Sequence, residues 1–251
     1  MHISMHASTS RRGYIIKDYT PSDTIVEYRG MVQFKHGFVQ SVATMSKDIQ
    51  RRISQMYDLP EGILESVPFS ATWLEKVQEI DDFVLKSKLE TIKMYSESVT
   101  KVDARIHDTV KGCKDAQLLL SIPGMCEYCA LTIVAGIGDV EKFKDSGKLC
   151  SYFGVVPLAV PSKNAGNQVA ATRDGINIWN LSIKKATHEH IKCAPESSIT
   201  AHYRNVLERK ASSVAVVAAS SKMLRVIFWM LKEKRKFATN YNQDNSELAE
   251  K

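Results

Sequence analysis

Hydrophobic residues recur at helical spacing along two long stretches in the first half of the chain. The first stretch covers residues 22–57, and its apolar positions are Ile25, Tyr28, Val32, Val39, Val42, Met45, Ile49, Ile53 and Met56. A recurrence every three or four residues is typical of an amphipathic helix, and Ser22 beside Asp23 is suited to cap its start. The sequence DLPEG at residues 58–62 ends this predicted helix.

A second stretch with the same periodicity lies between residues 71 and 111. Neither proline nor glycine interrupts it, so the pattern predicts about forty helical residues. A helix of that length is stable when its apolar face packs against a partner. We therefore expect the two helices to pair antiparallel as a coiled-coil-like linker, either as a bundle within one molecule or with the same pair from a second subunit.

The second half of the chain predicts a compact helical domain over residues 113–237, so the fold class is mainly α. Pro123 and Gly124 separate two short apolar segments, and this pair is a strong turn signal because proline fixes φ and glycine tolerates a positive φ. Two short helices joined at such a turn expose backbone N–H groups that can hold a phosphate. The pattern predicts either a helix-hairpin-helix-like unit that grips a nucleic-acid backbone or a plain corner between two helices.

Three further helices are predicted in this half, over residues 176–191, from residue 194 onwards, and over residues 212–237. Between the turn unit and these helices, residues 160–175 are rich in proline, glycine and asparagine, which is typical of an irregular surface loop. Such loops on rigid scaffolds often carry function. The polar residues 238–251 predict a disordered tail.

The distribution of charge separates the two halves. Residues 1–119 hold 16 basic and 16 acidic side chains, whereas residues 120–237 hold 17 basic and 9 acidic ones, a net charge of +8. An excess of this size fits a polyanionic partner, most simply nucleic acid, although an ordinary solvated basic surface has the same charge. The chain has 251 residues and 44% hydrophobic content, which is enough for one or two domains with a real core.

The cysteines and the apolar runs bear on the compartment. Five cysteines at irregular spacing argue against a secreted disulfide framework. Cys126 and Cys129 form a C-x-x-C motif inside an apolar periodic segment, so we interpret them as buried thiols, with zinc binding or redox chemistry as the alternatives. Polar residues interrupt the apolar run at 214–231, and residues 1–12 lack the apolar centre of a signal peptide. We expect a cytoplasmic protein that does not cross a membrane.

Several segments follow one another in a characteristic order. They are LLLSIPGMCEYCALTIVAGIGDVEKFKDSGKLCSYFGVVP, PSKNAGNQ, TRDG and YRNVLERKASSVAVVAASSKMLRVIFWMLKEKRKF. Together they resemble the C-terminal domain of the insertion-sequence transposases related to the Piv DNA invertase, a serine-dependent, RNA-guided class. The resemblance covers about residues 118–237. Residues 10–40 also look like the segment that connects the nuclease domain of this family to its helical linker.

The resemblance implies a domain order and a chemistry. Members of the family carry a RuvC-like domain whose four carboxylates bind a divalent metal, Mg²⁺, followed by a coiled-coil linker and a domain that supplies a serine nucleophile. Residues 1–21 then correspond to the end of the nuclease domain, 22–112 to the linker and 113–237 to the transposase domain. We expect a truncated form that holds no cofactor itself, binds DNA and a guide RNA, and does not complete transposition alone.

Two alternatives to this expectation stay open. The chain is an active enzyme if a full-length relative supplies the nuclease half, or it is a non-catalytic helical module for nucleic-acid binding or homo-oligomerisation. Whether this chain acts as an enzyme is therefore left undecided by the sequence.

The same resemblance assigns candidate site residues. The spacing from residues 154–157 forward to Gly175 places Ser162 at the nucleophile position, while a loop hydroxyl with a local turn bond is the alternative. The residues predicted to contact phosphate or to supply positive charge are Gly124, Lys142, Lys144, Lys148, Lys163 and Arg173. No metal ligand is expected among them. Lys163 and Cys126 depart from the family, which commonly has a small residue after the serine and a second glycine in the turn.

Overall fold

The computed structural model describes residues 19–56, 77, 80–156 and 177–238 of the chain. In these ranges every regular element is a helix, which confirms the mainly α class. The chain divides into two compact units, one formed by Met1–Gly30 with Ile106–Lys251 and the other by Met31–Arg105. We call them the terminal unit and the two-helix unit. The domain boundaries inferred from the resemblance stay a prediction.

The helices differ widely in length. In chain order they are α1 (Asp23–Met56), α2 (Phe83–Gly112), α3 (Lys114–Leu119), α4 (Glu127–Ile137), α5 (Ser146–Phe153), α6 (Ile178–Cys193), α7 (Ser198–Leu207) and α8 (Ser212–Glu233). A short 3₁₀ turn at Val140–Lys142 lies between α4 and α5. Ser22 begins α1 as predicted, because its Oγ accepts a hydrogen bond of 3.4 Å from the amide of Ile25.

The two-helix unit pairs α1 with α2 in antiparallel orientation, as the sequence predicts. Three ion pairs link the helices, and positions further along α1 meet positions earlier in α2: Lys35 with Asp103, Asp48 with Lys88, and Arg52 with Asp82. The buried cluster of this unit includes Ile49 and Ile53 of α1, Leu85 and Ile92 of α2, and Val77. The supercoiling expected of a coiled coil stays a prediction.

The second long helix begins later than its apolar periodicity predicts. Residues 80–82 are not helical, and α2 starts at Phe83. Asp82 Oδ1 accepts hydrogen bonds from the amides of Val84, at 2.8 Å, and Leu85, at 3.1 Å, so Asp82 caps the helix. Aspartate favours such a cap over a helix interior because its carboxylate satisfies amides that have no partner within the helix. The prediction of one unbroken helix from residue 71 is therefore wrong at Asp82, and residues 71–76 lie outside the described part of the chain.

Helix α8 is the centre of the terminal unit and packs against α3, α5, α6 and α7. It is long and apolar enough to cross a bilayer, yet 72% of its most apolar window is buried inside the protein, as in the core helix of a globular fold. Its polar residues are accommodated internally, since Ser220 Oγ donates to Thr187 Oγ1 at 3.1 Å. The helix ends at Glu233, four residues earlier than predicted, because Lys234 adopts the left-handed conformation with φ 51°.

Candidate nucleic-acid interface

The Pro123-Gly124 turn joins α3 to α4 and packs directly on the backbone of α6. Gly124 has a φ of +84°, and a Cβ at this position would lie 2.6 Å from the carbonyl carbon of Glu189 and 2.7 Å from the amide nitrogen of His190. Both the positive φ and the close approach require glycine. The turn is therefore explained by packing within the fold, and a phosphate contact at Gly124 stays a prediction.

His190 holds this turn in place from α6. Its Nδ1 lies 2.8 Å from the carbonyl oxygen of Pro123, so Nδ1 carries the proton that this acceptor requires. Its Nε2 lies 2.7 Å from Ser197 Oγ, at the start of α7. Burial lowers the pKa of His190, which favours the neutral ring with Ser197 donating to Nε2. The turn, α6 and α7 are thus joined by one buried polar network.

Lys142 lies in the interior rather than at the surface. Its side chain is 4% exposed, and its Nζ finds no hydrogen-bond partner among the described residues. The ammonium group lies 4.3 Å from the ring centre of Tyr19 and 5.3 Å from that of Tyr152. Burial, together with the positive charge of Arg29, lowers the pKa of Lys142 to about 7. In this conformation the amine is enclosed by side chains and lies away from the surface, and the role of Lys142 as a phosphate contact stays a prediction.

Lys144 and Lys148 are exposed at the beginning of α5. Between them Asp145 caps the helix, since its Oδ1 accepts a hydrogen bond of 2.8 Å from the amide of Lys148. Both lysines thus lie beside the positive end of a helix dipole and are open to solvent. Their position is compatible with the predicted phosphate contacts.

Ser162, Lys163 and Arg173 lie outside the described residues. The structure describes the residues on either side of this segment, up to Val156 and from Asn177 onwards. Asn180 joins the two sides, because its Nδ2 donates to the carbonyl oxygens of Phe153 and Gly154, each at 2.9 Å. The end of α5 and the start of α6 therefore meet at one place, which we call the loop root.

A cationic and aromatic cluster adjoins the loop root. Arg29 of α1 donates from Nε to the carbonyl oxygen of Ala135 at 2.8 Å, at the end of α4. A Cβ at Gly136, the next residue, would lie 3.0 Å from the ring of Trp179 and 3.2 Å from the ring of Phe153. These contacts form a continuous row. It runs from the Arg29 guanidinium, past the end of α4, to the rings of Trp179 and Phe153 beside the loop root.

Sequence reasoning missed Arg29, Asn180 and His190. Arg29 bonds to a residue 106 positions away in the chain, and Asn180 to one 27 positions away. Neither residue belongs to a local motif, and the amphipathic pattern of α1 makes Arg29 one polar position among many. A single sequence offers no signal for such pairings.

The described part of the chain offers no ready site for a metal. No three His, Cys, Asp or Glu side chains in it converge on one point where an ion could bind. The resemblance assigns its divalent metal to the nuclease domain, so we derive no chemical step through a metal.

Part of the terminal unit matches a known protein family. Residues 116–175 match the family model described as "Transposase IS116/IS110/IS902 family". All seven predicted site residues fall within these sixty positions. The match thus covers the turn, α4, α5 and the segment that contains Ser162.

Three curated proteins are similar over a longer stretch. The "Transposase for insertion sequence element IS1111A" of Coxiella burnetii is 25% identical over 138 residues, covering 54% of this chain and 38% of that protein. The "Insertion element IS116 uncharacterized 44.8 kDa protein" of Streptomyces clavuligerus is 25% identical over 56% of this chain and 35% of its own length. The "Probable family 20 transposase" of Pseudomonas aeruginosa is 23% identical over 66% of this chain and 48% of its own length. The similarity thus spans less than half the length of each of these relatives.

Proposed function

We propose that this chain is a transposase-type protein of the Piv-related, serine-dependent class that binds DNA through its terminal unit and acts in DNA transposition and recombination. The observation that carries the proposal is the family-model match over residues 116–175, which contains every predicted site residue. The net charge of +8 over residues 120–237 supports a polyanionic partner. The helix-hairpin-helix character of α3, the turn and α4 belongs to the same proposal.

In this proposal Ser162 is the nucleophile. Its Oγ attacks a DNA phosphodiester and forms a bond to phosphorus, while the bond from phosphorus to one DNA oxygen breaks. The Ser162 hydroxyl proton passes through solvent to that oxygen, which departs as an alcohol. The phosphoserine link that remains conserves the energy needed for rejoining. Lys163 and Arg173 supply a positive field, and Arg29 supports it from beside the loop root. Lys144 and Lys148 hold the phosphate backbone, which positions DNA without reading its sequence.

Salt dependence tests the binding part of the proposal. Anisotropy of a labelled DNA duplex is measured with the full chain over a range of NaCl concentrations. Each neutralised B-DNA phosphate contributes a slope of about 0.9 log units of affinity per log unit of salt. The Lys144→Gln/Lys148→Gln variant should lower the slope by about 1.8, because it removes two contacts. The matched control is Lys86→Gln/Lys93→Gln, which removes two exposed lysines of α2. A flat salt response, or an equal loss in the control, contradicts the proposal.

A covalent-adduct assay tests the chemical part. The chain is mixed with DNA and with a full-length family member whose own serine is replaced by alanine, so that any phosphoserine–DNA adduct must form on this chain. Parent protein and a Ser98→Ala control in α2 should form the adduct, and Ser162→Ala should not. Equal adduct yields from Ser162→Ala and the parent remove Ser162 from the mechanism.

The guide RNA rests on the resemblance alone, and the cytoplasmic location rests on the cysteine spacing and the apolar pattern; both are part of the same proposal. Purification of the chain from its native host, followed by sequencing of the bound nucleic acid, tests the guide RNA. Recovery of one defined RNA that pairs with target DNA supports RNA guidance. Recovery of DNA alone, unchanged by treatment with ribonuclease, contradicts it.

A second candidate function is homo-oligomerisation through the two-helix unit. Large apolar side chains there are exposed, among them Phe34 at 48%, Met94 at 58% and Phe83 at 83%. Exposed apolar surface of this kind is typical of a protein–protein interface. Light scattering during size-exclusion chromatography tests this function, since an oligomerisation module should show a molar mass that is a multiple of 28.1 kDa.

A further inference from the structure

The C-x-x-C motif at the start of α4 differs from its sequence interpretation as two buried thiols. Cys129 is buried, with 1% of its surface exposed, whereas Cys126 is exposed. Cys126 is the residue immediately before α4 and has an extended backbone, with φ −92° and ψ 158°. The motif thus places one accessible thiol beside one protected thiol.

The backbone brings the two cysteines within disulfide range. In helix geometry, residues three positions apart have Cα atoms about 5 Å apart, and disulfides join Cα atoms about 4.4–6.8 Å apart. Glu127 and Tyr128, between the two cysteines, are helical, so the Cα spacing of Cys126 and Cys129 falls within this range.

Charge around Cys126 favours the thiolate. The hydrogen bond from Cys129 and the ammonium of Lys185, an exposed residue of α6, lower the pKa of Cys126 to about 6, although burial opposes them. Glu127, the next residue, pairs with His107 of α2, with Oε1 and Nδ1 2.8 Å apart. The amide groups at the start of α4 also stabilise a negative charge. The thiolate is the form that attacks a disulfide.

None of the remaining three cysteines combines an exposed thiol with a second cysteine three positions away. Cys113 and Cys150 are buried, and burial raises the pKa of Cys150. The thiol of Cys150 donates to the carbonyl oxygen of Ser221 at 3.5 Å. Cys193, at the end of α6, is exposed. Cys193 therefore serves as an internal reference for an exposed thiol in the same molecule.

We propose that Cys126 and Cys129 form a reversible dithiol–disulfide pair whose substrate is a low-molecular-weight disulfide of the glutathione type. The Cys126 thiolate attacks one sulfur of the substrate, which forms a mixed disulfide and releases one thiolate. The Cys129 sulfur then attacks Cys126 as its proton passes to the departing second thiolate. In total the protein loses two hydrogens and becomes an internal disulfide, while one substrate disulfide becomes two thiols. This inference does not depend on the proposed role in transposition.

Mass spectrometry after treatment of the full chain with oxidised glutathione tests the pair. The parent should lose the mass of two hydrogens, and an added alkylating agent should leave Cys126 and Cys129 unmodified. Cys129→Ser should accumulate glutathione at residue 126, because the resolving thiol is missing, and Cys126→Ser should not form the internal disulfide. Cys193→Ser is the control and should behave like the parent. A disulfide that involves Cys193, or a Cys129→Ser variant without the adduct at Cys126, overturns the proposal.

The pH profile of alkylation is a second test that requires no disulfide. Iodoacetamide should modify Cys126 with a midpoint near pH 6, and at pH 6 about tenfold faster than an unperturbed thiol after allowance for its lower intrinsic nucleophilicity. Lys185→Gln should move the midpoint to higher pH, whereas Lys184→Gln, at the neighbouring position of α6, should not. A midpoint near pH 8.5 for Cys126 in the parent, as in an ordinary thiol, overturns the proposal.

Discussion

The terminal unit and the two-helix unit use helices in different ways. In α4 of the terminal unit, all nine residues from Cys129 to Ile137 are buried, so neighbouring helices surround it. In the part of α1 that belongs to the two-helix unit, residues 31–56, the buried residues are Val32, Ile49 and Ile53. A helix with one narrow buried stripe has a single neighbour, and its other faces are available to solvent or to a partner. The terminal unit is thus built as a closed core and the two-helix unit as an open pair.

The same residue type has opposite roles in the two units. Gly124 and Gly136 of the terminal unit lie against other elements so closely that a Cβ would meet atoms at 2.6 Å and 3.0 Å, respectively. Gly37, in the two-helix unit, would place a Cβ where no atom lies within 4 Å. Glycine therefore permits close packing in the closed core, whereas in the open pair it only weakens a helix. The following predictions test this contrast, from the largest expected effect to the smallest.

Gly124→Val should have the largest effect. We expect a loss of about 4 kcal/mol in the stability of the terminal unit, because strain at positive φ and overpacking each cost about 1–3 kcal/mol. Urea unfolding in a Trp73→Phe background measures it, since Trp179 and Trp229 then report on this unit alone. Gly37→Ala is the control and should stabilise α1 by about 0.5–1 kcal/mol. A Gly124→Val chain that unfolds at the urea concentration of the parent would contradict the close contact with α6.

Asp82→Ala should have the second largest effect, this time in the two-helix unit. Asp82 is 7% exposed, pairs with Arg52 at 2.7 Å and caps α2. Loss of a cap costs about 1 kcal/mol and loss of a largely buried ion-pair partner adds to it, so we expect a loss of about 2–3 kcal/mol. Hydrogen exchange of the α1 and α2 amides measures the change.

The neighbouring Asp81 provides the control for this variant. Asp81 is exposed, and a hydrogen bond from Lys86 lowers the pKa of its carboxyl group. Because water screens this pair, Asp81→Ala should leave the exchange rates unchanged. Equal effects of the two substitutions would show that the stability of α2 does not depend on the buried cap.

Lys142→Met should stabilise the terminal unit by about 2 kcal/mol at pH 7. The pKa of Lys142 falls from 10.5 to about 7 on burial, so the unfolded chain binds more protons between these values and the stability of the parent rises with pH through this window. Methionine removes the free-energy cost of burying the charged amine, but it gives up the contact with Tyr19, worth about 0.5–2 kcal/mol. The gain should shrink as pH rises towards 10.5.

Two outcomes distinguish this interior role from a role in phosphate binding. Lys142→Met should leave the salt slope of DNA binding unchanged, whereas Lys144→Met, at an exposed position, should alter stability by less than about 0.5 kcal/mol. A lower salt slope for Lys142→Met, with no gain in stability, would place Lys142 at the nucleic-acid surface after all.

The sequence predicts where helices form better than it predicts which residues they contact. Periodicity locates α1 because it depends on residues three or four positions apart, and the short link between the two amphipathic stretches predicts their antiparallel pairing. The same signal misses the break at Asp82, where a short-range cap overrides the apolar pattern. The burial of Lys142 was not predicted, because charge alone suggests a surface position, whereas one of the rings that enclose it belongs to Tyr19, more than a hundred positions earlier. Exposure of Cys126 was likewise hidden, since a C-x-x-C motif within an apolar stretch does not indicate which cysteine faces solvent.

The smallest expected effect on folding concerns the exposed apolar side chains of the open pair. Phe34→Ser/Met94→Ser changes two residues that are 48% and 58% exposed, so the stability of the folded monomer should change by no more than about 0.5 kcal/mol for each. If these side chains form an interface between chains, the same variant should dissociate at concentrations at which the parent is still an oligomer. Sedimentation velocity over a range of concentrations measures this.

Val216→Ser/Met223→Ser in α8 is the matched control, because both residues are apolar and buried, at 6% and 0% exposed. This control should unfold the terminal unit without a selective effect on association. A Phe34→Ser/Met94→Ser variant with the same sedimentation profile as the parent at every concentration would show that these two side chains do not hold copies of the chain together. The exposed faces of α1 and α2 would then be solvated surface, and the contrast between the units would be one of burial alone.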